Sequence, residues 1–242
     1  MVSNPDPDTL TGSQAKRTAR IAAALFLFGC VPAVTWSNNI GSKIFLPLDP
    51  AGTAQNLLAN EFLFRSSIAT HLLSNWLFAF MIFLFYRLFK PVNKHLARLM
   101  VAPVLAQVAI FVILEVFNYG ALMILKSETR FAFDDAQRQE ISFLFLRLHR
   151  FGIGASQGLW GLAFIPFGLL SIRCGFVPRI FGYLLVIGGF AYVVDTSLYI
   201  LLERASYLAA RIYVQVPMNT GYVIMLWFLI KGVRQPESTQ NL

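Results

Sequence analysis

Leu99–Leu125 reads LMVAPVLAQVAIFVILEVFNYGALMIL. The run is long enough to cross a bilayer, since about 20 apolar residues rising ~1.5 Å each span a hydrocarbon core of about 30 Å. Near its far end stands Glu115, flanked by Leu114 and Val116, with no basic residue within a turn. An ionised carboxylate there is costly, so it must be protonated, paired or turned toward a wet cavity. One stretch therefore states both the architecture and a candidate site.

Composition agrees with it. The chain has 242 residues, 57% of them hydrophobic, too many for the interior of a soluble domain of that length. The class expected is an all-α integral membrane protein, a bundle of six transmembrane helices. Lys16, Arg17 and Arg20 precede a first span at Ile21–Trp36, which Pro32 interrupts and which reads as an uncleaved helix rather than a signal peptide. Ser37–Gly52 reads as a loop, and Thr53–Arg65 as a short interfacial helix between spans 1 and 2. The further spans are Ser66–Phe89, Leu99–Leu125, Ile141–Ile172, Ile180–Leu202 and Ile212–Ile230. The fourth is long, with its membrane entry set near Leu148–Gly152, and Glu203–Arg211 reads as a loop before the sixth. Residues 1–20 form a flexible cytoplasmic tail, 21–231 a single transmembrane domain and 232–242 a second cytoplasmic tail. Cys30 and Cys174 fall at different depths, so two free thiols are expected.

The net charge of +8 first needs placing against the membrane. With the N-terminus inside, Lys16, Arg17, Arg20, Arg87, Lys90, Lys94, Arg98, Arg173, Arg179, Lys231 and Arg234 lie inside, and the other nine of the 20 basic residues, Arg130 among them, lie outside. Raw numbers barely discriminate. The two tight loops, KPVNKHLAR and RCGFVPR, carry basic charge and no acid, and short loops weigh most. Glu128, Glu140 and five other acids fall outside. The expected topology is N-in/C-in in a bacterial cytoplasmic membrane. The partners are the lipid bilayer and a small amphiphilic ligand, with no nucleic acid, because the basic excess is accounted for by topology.

From DPAGTAQNLLANEFLFR at Asp49–Arg65 onward, the chain resembles a bacterial multi-pass membrane family called domain of unknown function 4386 (DUF4386). The likeness continues through LFYRLFKPVNKHLARLM, LRLHRFGIGASQGLWGLAFIPFGLL, RCGFVPRIFGYLLVIGGFAYVVD and the closing WFLIKGV, in order over roughly residues 20–234. The resemblance implies a six-span helical membrane protein. It implies no chemistry, and no site residue is carried over from it.

The candidate site comes from the polar residues. In the topology above, His71 and Asn75, Glu115 and Asn118, Arg147, His149 and Arg150, Asp195, and Arg211, Gln215 and Asn219 all fall in the outer half; only Gln107 and Gln157 do not. Gln107, Phe111, Glu115 and Asn118 form one stripe, Arg211, Gln215, Asn219 and Tyr222 another, and Tyr192, Asp195 and Tyr199 a third. Such stripes face the bundle interior, because lipid cannot satisfy them. The amides also suit interhelical hydrogen bonding, and the arginines and His149 suit interfacial anchoring. The embedded carboxylates point most strongly to function.

The expected activity is binding of an amphiphilic or lipidic molecule in an outward-facing polar pocket. Glu115 and Asp195 are its anchors, with His71 and Arg150 or Arg211 setting their protonation. The alternatives are an intramembrane enzyme with Glu115 and Asp195 as acid and base on an isoprenoid or lipid, a proton-coupled transporter, or an accessory subunit. HExxH, GxxxxGK and CxxC are absent, so no metal and no cofactor are expected. His71 and His149 form a single imidazole pair without the spacing that would support a haem.

Overall fold

The computed structural model describes residue 10 and residues 12–126 and 132–233. Glu128, Arg130, Arg234, half of the N-terminal tail and most of the C-terminal one therefore lie outside the described residues. Among the described residues every regular element is helical: α1 (Gly12–Ala24), a π-helical turn (Leu25–Cys30), α2 (Val31–Ile44), α3 (Pro50–Ala59), α4 (Glu61–Phe89), α5 (Lys94–Leu125), α6 (Asp135–Ser156), α7 (Gly158–Arg173), α8 (Arg179–Leu201), α9 (Arg204–Met218) and α10 (Thr220–Ile230). Six helical stretches are long and apolar enough to cross a membrane: Gly12–Ile44, Glu61–Phe89, Lys94–Leu125, Asp135–Arg173, Arg179–Leu201 and Arg204–Ile230. Large apolar side chains stand exposed along them, including Phe28, Phe80, Val116, Phe190 and Ile212. Lipid accepts such a surface and water does not.

The spans match the six read from sequence, but several ends differ. The first helix runs from Gly12 to Ile44, taking in residues read as tail and loop. Pro32 is accommodated by the wide turn before it, which loosens the backbone around the Phe28 carbonyl that its ring would strike. Beyond it the polar segment stays helical to Ile44, with the Ser42 hydroxyl donating to Asn39 O at 2.9 Å. The helix read at Thr53–Arg65 is divided at Asn60. Its first part begins at Pro50, where Asp49 Oδ1 accepts from Gly52 N at 2.8 Å, a side-chain cap on an otherwise orphan donor. Glu61–Arg65 already belong to the second span. The segment read as a loop at Glu203–Arg211 is the first half of α9.

The chain forms two compact units. One comprises Met1–Phe28, Phe78–Gln107 and Gln157–Leu242. Phe85, Phe89, Phe167 and Phe228 are buried in its core, with Phe85 5.1 Å from Phe167 and 5.3 Å from Phe228 between ring centroids. Its closest packing joins α7 to α8. A Cβ on Gly168 would come 2.6 Å from Gly182 O, one on Gly182 2.7 Å from Gly168 O, and one on Gly189 2.9 Å from Gly161 O. The pairs 168/182 and 161/189 recur two turns apart on each helix, the register of an antiparallel seam. Only glycine lets the backbones meet there.

The second unit comprises Gly29–Leu77 and Val108–Ser156. Ile40, Ile44, Leu57, Phe64, Ala121, Leu122 and Leu146 are buried together in it. The Phe45 and Phe143 rings stack at 5.0 Å. The Ser74 hydroxyl donates to Cys30 O at 3.4 Å, and the Cys30 thiol to Ser74 O at 3.7 Å. Both cysteines are free thiols.

Any side chain at the α7–α8 seam, alanine included, must separate the two backbones, and a large one must separate them further. Gly182→Leu is expected to lower stability by about 3 kcal/mol, read as a drop of several degrees in the thermal midpoint in mild detergent. Gly41→Ala, whose Cβ meets nothing within 4 Å, should leave the midpoint unchanged or raise it.

Candidate functional site

On α5, three positions separate Glu115 from Asn118 and four separate it from Phe111, so all three side chains share one face. Glu115 is 4% exposed. Asn118 Nδ2 donates to its Oε2 at 2.9 Å. The other carboxylate oxygen receives two imidazoles from two other helices. His71 on α4 bonds to Oε1 through Nδ1, and His149 on α6 bonds to the same oxygen through Nε2 at 3.1 Å. When neutral, each ring therefore carries its proton on the nitrogen that faces Glu115, Nδ1 in His71 and Nε2 in His149. The two rings lie 6.2 Å apart and nearly perpendicular. The Phe111 ring packs 5.2 Å from His71.

Local packing sets this geometry. Gly152 lies three residues beyond His149 on α6, and a Cβ there would run into the Leu114 side chain. Its absence lets α6 approach α5 at the level of Glu115. Asn75 Nδ2 donates to His71 O at 3.0 Å and so engages the backbone of the residue that carries the imidazole. His71 is 8% exposed, and the His149 side chain keeps 15% of its surface accessible. The half-buried edge of the cluster is therefore His149. All of these residues belong to the second unit.

Asp195 belongs to the first unit and is engaged there. It is 2% exposed. The Tyr207 hydroxyl donates to Oδ1 at 3.2 Å, and Arg211 Nε lies 3.7 Å from the same oxygen, at ion-pair distance. The Arg211 guanidinium also stands 5.7 Å from the centre of the Tyr207 ring. Tyr207 does not figure in the sequence reading, because its segment reads as a loop. Its signal is its place four residues before Arg211, extending that stripe back by a turn.

The stripe on the sixth span differs from expectation. Gln215 and Asn219 are exposed rather than buried. Pro217 precedes the end of α9, where Asn219 N slips to Val216 O at 3.2 Å. The Asn219 side chain takes up the Gln215 carbonyl at 2.9 Å, so this amide satisfies its own helix end and needs no partner in a bundle interior. Arg150 is also exposed, with its guanidinium 4.6 Å from the centre of the Phe45 ring.

Two imidazoles and a carboxylate brought together from three helices can hold a proton, a polar head group or a metal ion. The ligating atoms of His71, Glu115 and His149 all lie within 4.8 Å of one another. The residues are 44 and 34 positions apart in sequence, which explains why no linear motif announces them.

The family model described as Domain of unknown function (DUF4386) matches residues 8–232, nearly the whole chain. The chain belongs to that family. No significant match is found among curated proteins or among solved structures.

Because Glu115 and His149 act as one unit, their substitutions should not add. Glu115→Ala and His149→Ala are each expected to lower the thermal midpoint. The double variant should lose less than the sum, with a coupling energy of about 1–3 kcal/mol. Strict additivity would show that the two side chains are energetically independent.

Proposed function

We propose that this DUF4386 membrane protein binds a small amphiphilic or lipidic molecule, with the His71–Glu115–His149–Asn118 cluster as its polar anchor. The observation that carries the reading is the convergence of donors from three helices on one buried carboxylate within the spans. A head group bearing a hydroxyl, amine or phosphate finds both donors and acceptors there, and apolar helix surface accommodates a tail. His149, the half-buried member, is the side from which the head group arrives. Asp195 is read as a bond between α8 and α9, since Tyr207 and Arg211 already engage it.

The basic residues of the two tight loops support an N-in/C-in orientation in a bacterial cytoplasmic membrane. In that orientation the cluster lies in the outer half of the bilayer and is reached from the outer leaflet. The acid–base enzyme reading has one observation in its favour: a carboxylate flanked by imidazoles is equipped to pass a proton. Binding precedes either outcome.

Small molecules extracted from wild type and from Glu115→Gln are to be compared by mass spectrometry. One species should be enriched in wild type and lost in the variant. Bulk lipid alone in both would reject the binding reading. For the orientation, alkaline phosphatase fused after Val233 should be inactive and fused after Lys126 active; the reverse pattern would invert the assignment.

A further inference from the structure

We propose that His71, Glu115 and His149 are the three protein ligands of a divalent transition-metal centre, with zinc the best match, and that its fourth position receives the polar head of the bound molecule. The inference rests on the binding reading only for that last clause. The metal centre stands on geometry of its own.

The donor set is the first argument. Two imidazole nitrogens and one carboxylate oxygen suit zinc, and three protein ligands with an open fourth position are the pattern of a centre that takes up water or substrate. Compactness is the second. A tetrahedral ion with bonds of about 2.0–2.1 Å holds its ligand atoms about 3.3 Å apart. Here the three ligating atoms lie within 4.8 Å of one another, with His149 Nε2 3.1 Å from Glu115 Oε1.

The third argument is how the carboxylate is shared. Both imidazoles aim at Oε1, while Oε2 is held by Asn118. That division, one oxygen inward and the other fixed by an outer amide, is how ligating carboxylates are oriented. The nitrogens that face Glu115 are Nδ1 in one ring and Nε2 in the other, so the two rings reach a common point from different helices. Loading the ion goes with a tautomer change in which each neutral ring carries its proton on its other nitrogen, leaving the nitrogen that faces Glu115 as a lone-pair donor.

The experiment uses full-length protein purified in detergent without a polyhistidine tag. Metal content is measured as isolated, then Co2+ is titrated into chelator-treated protein and the visible ligand-field bands are followed. Wild type is expected to hold one zinc per chain and to give bands that saturate at one Co2+ per chain. His95→Ala, which removes the exposed third histidine, should behave as wild type. Asn118→Ala should weaken Co2+ binding by about 10–100-fold, and His71→Ala or His149→Ala should abolish the bands. Because these last variants risk misfolding, His149→Cys provides a second readout: it should keep the ion and add sulfur-to-cobalt charge-transfer absorption. Substoichiometric metal with no saturable bands in folded wild type would overturn the centre. So would bands unaffected by substitution at His71 and His149. If the centre fails while Glu115→Gln still loses an enriched molecule, binding stands without metal. If metal is present and no molecule is enriched, the centre stands and the binding reading falls.

Discussion

A carboxylate moved from water into an apolar helix bundle loses several kcal/mol of hydration even after the surroundings relax. Glu115 can remain there only because three donors replace that water: two imidazoles on one oxygen and an amide on the other. The helices of the second unit meet that requirement with local features. Gly152 removes the Cβ that would hold α6 off Leu114, and the i, i+3 spacing on α5 brings Asn118 to the carboxylate. Removing any one partner leaves a buried group short of a bond. The cluster is thus a structural constraint as well as a candidate site.

Lipid-facing helices gain no hydrophobic free energy by associating, since the solvent they leave is as apolar as their side chains. The chain holds its helices together by close backbone approach and by buried polar bonds. Glycines at 161, 168, 182 and 189 let α7 and α8 touch backbone to backbone. Asp195, Tyr207 and Arg211 join α8 to α9 through a hydroxyl and an ion pair. The first is a fit of shape and the second of charge. The Glu115 cluster resembles the second in composition, but its carboxylate meets imidazoles, which can ligate a metal, where Asp195 meets a guanidinium, which has only donors to offer.

Span number was legible because bilayer thickness fixes a length that composition reveals directly. Glu115 was legible because the cost of burying its charge does not depend on the neighbours. Its partners were less so. His71 was a candidate from its position in a span, but His149 beside two arginines reads equally well as an interfacial residue, and no rule of spacing says which face of α6 meets α5. Tyr207 was missed and Gln215 and Asn219 were misplaced for a related reason. Helix ends near Pro217 and at Glu203–Arg211 depend on which carbonyls find partners, and that is decided only when the helices pack. Residues 37–44 likewise carry turn-forming side chains and are nevertheless helical, one of them, Ser42, bonding to the helix's own backbone.

The central claim is that two of the three histidines share one carboxylate oxygen. Nitrogen-15 NMR of histidine-labelled protein in micelles tests it directly, because only three residues contribute. On substituting Glu115→Gln, the ring nitrogens of His71 and His149 should both shift while those of His95 stay in place. A response from one ring alone, or from none, would contradict the shared carboxylate and the site built on it.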